Sequence, residues 1–178
     1  HGVEVDVILT SDDFNDLSTL APLAERSGGN VLTYPNKREI PIVGDVHRLL
    51  RNEKAINATL RVRTTADLEI ANAYGALHPD RAYVGLYHIA SCAMKDAFTF
   101  DFDYSTSAGL EEELNSRHPK VQLAFEYTCI ERQVVETGDI IVRRRRRRRI
   151  HTCRANIARS ARDVYKHVDV NAMMCLIT

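Results

Sequence analysis

The stretch Ile56-Asn57-Ala58-Thr59-Leu60-Arg61-Val62-Arg63 places apolar side chains at Ala58, Leu60 and Val62 and polar ones at Thr59, Arg61 and Arg63. A period of two is the repeat of a β-strand with one face buried and one face in water. The same alternation returns at Phe98, Phe100, Phe102 and Tyr104 against Thr99, Asp101 and Asp103. Further strands are predicted at 68–77, 82–89, 121–130 and 140–152. Turn chemistry sits at His78-Pro79-Asp80, Ser116-Arg117-His118-Pro119 and Thr137-Gly138-Asp139. Several short alternating strands with no helix between them predict an antiparallel β-sandwich.

Upstream, Val3, Val5, Val7, Ile8 and Leu9 read as a strand buried mostly on both faces, followed by candidate helix caps at Thr10-Ser11-Asp12-Asp13. Phe14, Leu17, Leu20, Ala21 and Ala24 then recur at helical spacing, and Gly28-Gly29 supply the stop. Pro22 makes that helix either start late, near Ser18, or kink. Val31-Leu32-Thr33-Tyr34 is the next strand, so the order matches the end of an open α/β domain. A second helix is predicted over 44–54 with Val46, Leu49 and Leu50 on one side. After His151 the pattern turns helical again through Ala161, Val164, Tyr165 and Val168, with Asp169 as cap for Val170 to Ile177.

The chain has 178 residues, 44% of them apolar, with 24 basic and 24 acidic side chains. That balance conceals an asymmetry: residues 1–132 hold 13 basic and 20 acidic side chains, and 133–178 hold 11 and 4. Most of the later excess is one tract, Arg143 to Arg149. No run approaches the ~18–20 apolar residues of a membrane span, and no basic-apolar-small signal pattern opens the chain, so this stretch is not expected to be transmembrane or secreted. The first residue is His1 and the last residues are apolar, which suggests an excerpt of a larger protein. Cys92, Cys129, Cys153 and Cys175 are far apart and lack CxxC spacing. They are expected to be buried, reduced thiols of a cytosolic protein, with no zinc site in this segment.

Nothing in the residues specifies an enzyme. Asp101 and Asp103 are two apart on a polar strand face, with no phosphate loop anywhere in the chain. The seven histidines show neither HxH nor HxxxH spacing, and no GxSxG elbow exists. The arginine tract has the charge for phosphate binding but no interleaved aromatics, which favours a solvated like-charged face over a nucleic-acid site. Arg61 and Arg63 are a different case. Two apart on a strand, they present two forked guanidinium groups side by side, a geometry that suits a carboxylate of a bound peptide. Taken alone, the residues favour the plainer reading, a charged outer face of the sheet.

Several stretches, in order, resemble the cargo-selecting subunit of the COPII inner coat, the Sec-twenty-four family of the Sec23/Sec24 superfamily. They are Val5-Asp6-Val7 with Gly28-Gly29-Asn30-Val31 and Thr33-Tyr34-Pro35-Asn36; Ala58-Thr59-Leu60-Arg61-Val62-Arg63-Thr64; Tyr74-Gly75; Val121-Gln122-Leu123-Ala124-Phe125-Glu126-Tyr127-Thr128; Arg146-Arg147 to Ile150-His151-Thr152; and Asp163-Val164-Tyr165 with Val168-Asp169-Val170. The resemblance implies a mixed α and β chain. Its antiparallel β-sandwich, residues 55–153, would be flanked by the C-terminal end of a vWA-like α/β trunk domain with its connecting helix, 1–54, and by the start of an all-α helical domain, 154–178.

The resemblance further implies a non-enzymatic coat adaptor for endoplasmic reticulum to Golgi transport, cytoplasmic and peripheral on endoplasmic reticulum exit sites and vesicles. Implied partners are the GTPase-activating coat subunit in a heterodimer, a Sar-type small GTPase, cargo and SNARE sorting peptides and the membrane surface, with no nucleic acid. No cofactor is expected in this segment; the family's zinc module would lie outside it. Arg61 and Arg63 match arginines of a pocket for acidic, leucine-containing signals. Two departures stand out. Glu126 replaces an apolar residue near that pocket, where it is expected to pair with Arg61 or Arg63 and compete with an acidic ligand. The arginine tract is expected either to loop out in part or to reflect a divergent or faulty gene model, because a strand with arginine at every inward position would not bury. The alternatives are the GTPase-activating sister subunit and an arginine-rich nucleic-acid-binding module.

Overall fold

A computed structural model describes residues 2–11, 13–35, 41–105, 118–158 and 160–177, the last three of them by backbone only. The expected cap at Asp12, the Asn36 motif residue, Ser116 and Arg117 of the expected turn, and the Cys175 side chain lie outside the described residues.

The chain opens with strand β1 (Val7–Leu9), helix α1 (Leu17–Ser27) and strand β2 (Val31–Thr33). β1 and β2 pair in parallel, Val7 opposite Val31, with the helix as the crossover between them. Two details depart from expectation. Val3 and Val5 precede the strand and are exposed, and β1 is only half-buried because β2 is its one strand neighbour among the described residues. Phe14 stands outside the helix and is exposed. The cap is Asp16, whose carboxylate accepts from the Thr19 backbone N–H and from the Ser18 and Thr19 hydroxyls. The late start is therefore the observed one. Pro22 still falls inside the helix, where it forgoes the bond to the Ser18 carbonyl. Gly28 ends the helix in the left-handed region at φ +77°, and a Cβ there would lie 2.2 Å from the Ser91 carbonyl oxygen. Only glycine lets this unit approach the sandwich so closely.

Helix α2 (Ile42–Arg51) half-buries Ile42, Val46 and Leu49, whereas Leu50, expected beside them, is exposed. Strands β3 (Lys54–Thr64), β4 (Leu68–Tyr74), β5 (His78–Pro79), β6 (Leu86–Ala93), β7 (Thr99–Tyr104), β8 (Lys120–Val134) and β9 (Ile140–Arg154) follow, then helices α3 (Ala161–His167) and α4 (Val170–Ile177). Asp169 caps α4 as expected, accepting from the Asn171 and Ala172 N–H groups. Val164 and Tyr165 of α3 are exposed.

The sandwich has two unequal layers. An antiparallel five-stranded sheet runs β5-β6-β3-β8-β9, and β4 pairs with β7 to make the second. Ala58, Leu60 and Val62 of β3 are buried with Tyr87, Ile89 and Cys92 of β6, beneath Ile70, Ala73, Phe100 and Phe102 of the small sheet. Tyr87 and Phe100 meet in a tilted pair with centroids 5.5 Å apart. The opposite face of β7 holds Asp101, which accepts from the Tyr74 hydroxyl at 2.8 Å. His78-Pro79 forms a short strand rather than a turn, and the chain turns at Asp80, which accepts from the Ala82 and Tyr83 N–H groups. For that reason β6 begins at Leu86 and not at residue 82. The Thr137-Gly138-Asp139 turn joins β8 to β9, with Gly138 at φ +86°.

The cysteines divide. Cys92 is buried, Cys129 is half-buried, and Cys153 is exposed on β9, contrary to the expectation that all are buried. Burial pushes the Cys92 thiol up to about 11. Brief treatment of the full-length protein with a maleimide, read by peptide mass mapping, is therefore expected to label Cys153 and to spare Cys92 until denaturant is added. Ile89 is 1% exposed. Ile89→Ala should lower stability by about 2–5 kcal/mol, measured as a shift in the urea unfolding midpoint of the β-sandwich.

Candidate functional site

Alternation on β3 has a direct consequence: burying Ala58, Leu60 and Val62 turns Thr59, Arg61 and Arg63 to the outer face of the five-stranded sheet. The register across β3 and β8 sets Thr59 opposite Glu126, Arg61 opposite Ala124 and Arg63 opposite Gln122. Across β8 and β9 it sets Gln122 opposite Thr152, Ala124 opposite Ile150 and Glu126 opposite Arg148. The outer face is thus a three-strand platform with small or apolar Ala124 and Ile150 at its middle, flanked by guanidinium groups.

Arg61 is half-buried, and its Nε is shut away from water without a hydrogen-bond partner. Arg63 is exposed. Neither forms an ion pair among the described residues. The expected pairing of Glu126 with Arg61 or Arg63 is not made. Glu126 turns instead to β9, where Arg148 donates from Nε (2.7 Å) and Nη2 (2.5 Å) to one oxygen and Arg146 Nε donates to the other. Arg148 is its direct cross-strand partner and Arg146 the diagonal one, so two cations converge on one carboxylate. The bonds from Arg146 and then Arg148 hold the Glu126 carboxyl below its ordinary value.

The arginine tract does not loop out. All seven arginines lie in one unbroken ladder with β8, from Glu131 opposite Arg143 to Phe125 opposite Arg149. The reason is that β9 is an edge strand exposed on both faces, and the small sheet covers β3, β6 and β8 but none of β9. No arginine of the tract is buried. Arg144, Arg146 and Arg148 share the outer face with Glu126; Arg143, Arg145, Arg147 and Arg149 share the other with Glu131 and the stacked Phe125–Tyr127 pair. Glu131 binds Arg145 (3.0 Å) and Arg147. Sequence reasoning missed Glu131, although the five-residue spacing of Glu126 and Glu131 on one strand puts them on opposite faces and so supplies one carboxylate to each set of arginines.

Elsewhere, His88 Nε2 lies 2.7 Å from Asp80 Oδ2 at the far edge of the sheet. Among the described residues no three His, Cys, Asp or Glu side chains converge as a metal site. The geometry is that of an antiparallel sandwich whose larger sheet presents forked cations on its outer face.

No family model matches the chain. Among curated proteins it is similar to protein transport protein SEC23 D of Arabidopsis thaliana, 28% identical over 185 residues, covering 99% of this chain and 24% of that protein. It is 24% identical to protein transport protein SEC24 of Dictyostelium discoideum, over 99% of this chain and 16% of the relative. It is 25% identical to human Sec24B, over 97% of this chain and 13% of the relative. The chain therefore spans about a quarter or less of the length of these relatives. Among solved structures, the human COPII-coat protein Sec24c matches 97% of this chain and 21% of its own, with a TM-score of 0.74 at 22% identity, a likeness of fold. Together these findings are a likeness, over nearly the whole of this chain, to proteins of the Sec23/Sec24 superfamily. They reach both of its branches.

Because Glu126 titrates lower in the folded chain, its contribution to stability is complete above the unfolded carboxylate value of 4.5 and is lost as pH falls through the depressed native one. Thermal melting of wild type and Glu126→Gln between pH 7 and pH 2 should show the wild type more stable near neutrality and the difference closing below about pH 4. A constant difference across that range would mean the arginine contacts do not set the effect.

Proposed function

We propose that this chain is part of a COPII coat adaptor and that the outer face of β3 reads acidic sorting signals of cargo and SNARE proteins through Arg61 and Arg63. The observation that carries the reading is the Arg61 guanidinium, half-buried with an unpartnered Nε, while the nearest expected competitor, Glu126, is already bound by Arg146 and Arg148. The Arg61 guanidinium has no counter-charge among the described residues, and a forked guanidinium suits an incoming carboxylate. Ala124 and Ile150 offer apolar contact beside it for a leucine side chain. Glu126 then acts as an anchor for β9 rather than a rival to the ligand.

The surrounding organisation belongs to the same proposal: residues 1–54 as the end of a trunk domain with its connecting helix, 55–153 as the sandwich and 154–178 as the start of a helical domain. In this reading the whole protein is cytoplasmic and peripheral on endoplasmic reticulum exit sites. It assembles with the GTPase-activating coat subunit and a Sar-type GTPase, and any zinc module lies outside this segment. The similarity to SEC23 D favours a second reading, in which the chain belongs to the GTPase-activating sister subunit.

The test is a titration of the full-length protein and its Arg61→Ala/Arg63→Ala variant with fluorescent acidic, leucine-containing peptides. Loss of more than tenfold in affinity, about 1.4 kcal/mol, is expected in the variant. Equal binding by both proteins would move the reading site elsewhere, and binding by neither would favour the second reading.

A further inference from the structure

The free edge of β9 is a site the outer-face reading does not use. At one end of the β8–β9 ladder the Val135 N–H donates to the Asp139 carbonyl at 3.0 Å, and at the other the Ala155 N–H donates to the Pro119 carbonyl at 2.9 Å. The register between them is unbroken. In an antiparallel ladder, bonded and non-bonded pairs alternate, so the odd-numbered residues of β9 bond toward β8 and the even-numbered ones point their N–H and C=O groups away from the sheet. Arg144, Arg146 and Arg148 therefore head a row of outward backbone donors and acceptors. No hydrogen bond to that row occurs among the described residues.

Charge adds a second feature to this edge. Seven arginines alternate over both faces along the open strand, and Glu126 and Glu131 engage only Arg145 to Arg148. Arg143, Arg144 and Arg149 have no ion pair among the described residues. We propose that the β9 edge binds an extended acidic protein segment by strand addition, with the main chains paired along the even-numbered residues and the segment's carboxylates meeting arginines on either face. An added strand carries side chains alternately to both faces of the sheet, at about 7 Å intervals on each, which is the spacing of the arginines themselves. A nucleic acid or an anionic bilayer approaches one face and would meet only three or four of the seven.

The full-length protein is titrated by fluorescence anisotropy with a labelled peptide of four Glu-Glu-Thr repeats, whose carboxylates fall on both faces of an added strand, with its N-methylated analogue of equal charge, with a ten-nucleotide thymidine oligonucleotide and with phosphatidylserine vesicles. Arg144→Pro removes an outward N–H without breaking the β8 ladder, and prolines are tolerated on edge strands in that orientation. The expected result is binding of the Glu-Glu-Thr peptide that falls at least tenfold on N-methylation and at least tenfold in Arg144→Pro, with a far-ultraviolet spectrum unchanged by the substitution. Arg61→Ala/Arg63→Ala should leave this binding intact, which separates it from the sorting-signal reading. Should Arg144→Pro misfold, Arg144→Glu/Arg149→Glu, which touches neither ion-paired cluster, is expected to give the same loss. Equal binding of the N-methylated peptide, preference for the oligonucleotide or the vesicles, or no peptide binding overturns the proposal.

Discussion

Everything on the outer face of the large sheet follows from the burial of one side of β3. The strand lies between β6 and β8, and Ala58, Leu60 and Val62 exclude water beneath the small sheet. A shift of one residue in its pairing would send Arg61 and Arg63 into that core, where an unpaired guanidinium is far more costly than the loss of any single contact. The apolar alternation therefore fixes the register, and the register fixes which cations face outward. Arg61 and Arg63 are held in place by the core on the far side of their own strand.

β9 obeys the opposite logic. It has no buried face, so apolar packing cannot hold it, and a row of like charges tends to push it away from any neighbour. What holds it is the fifteen-residue ladder with β8 together with two carboxylates, one per face, each taken by two arginines. On either face successive arginines are about 7 Å apart, close to the Debye length of ~8 Å at physiological ionic strength, so their mutual repulsion is partly screened while the short bonds to Glu126 and Glu131 are not. An edge strand built this way also resists uncharged strands. Hydrophobic segments that would otherwise pair with an open edge meet seven cations that they cannot solvate.

The sandwich was legible because its strands are half-buried, which is the condition under which alternation shows in a sequence. β3, β7, β8 and β9 all appear within a few residues of their predicted limits. Where local polar chemistry intervened, the reading slipped. Asp80 forms a turn that delays β6 to Leu86, and Asp16, with Ser18 and Thr19 for partners, displaces four plausible caps upstream. Exposure caused the other misses: Phe14, Leu50 and Val164 have the right spacing for buried helix faces but lie in water. At the site, same-face placement of Arg61, Arg63 and Glu126 could be read from parity alone. The partner of Glu126 could not, since β8 has a neighbour on each side and the sequence does not state which one a carboxylate will choose.

That choice gives the arginine tract a structural meaning. With Thr59 opposite it on β3 and Arg148 opposite it on β9, Glu126 has a direct cationic partner only on the edge side, and Arg146 completes the pair from the next outer position. Had β9 carried apolar residues there, the same carboxylate would have faced the diagonal Arg61 without competition. The arginine tract thus keeps Glu126 from neutralising the cations of β3, and the carboxylate on β8 and the arginines on β9 compensate each other across one strand pair.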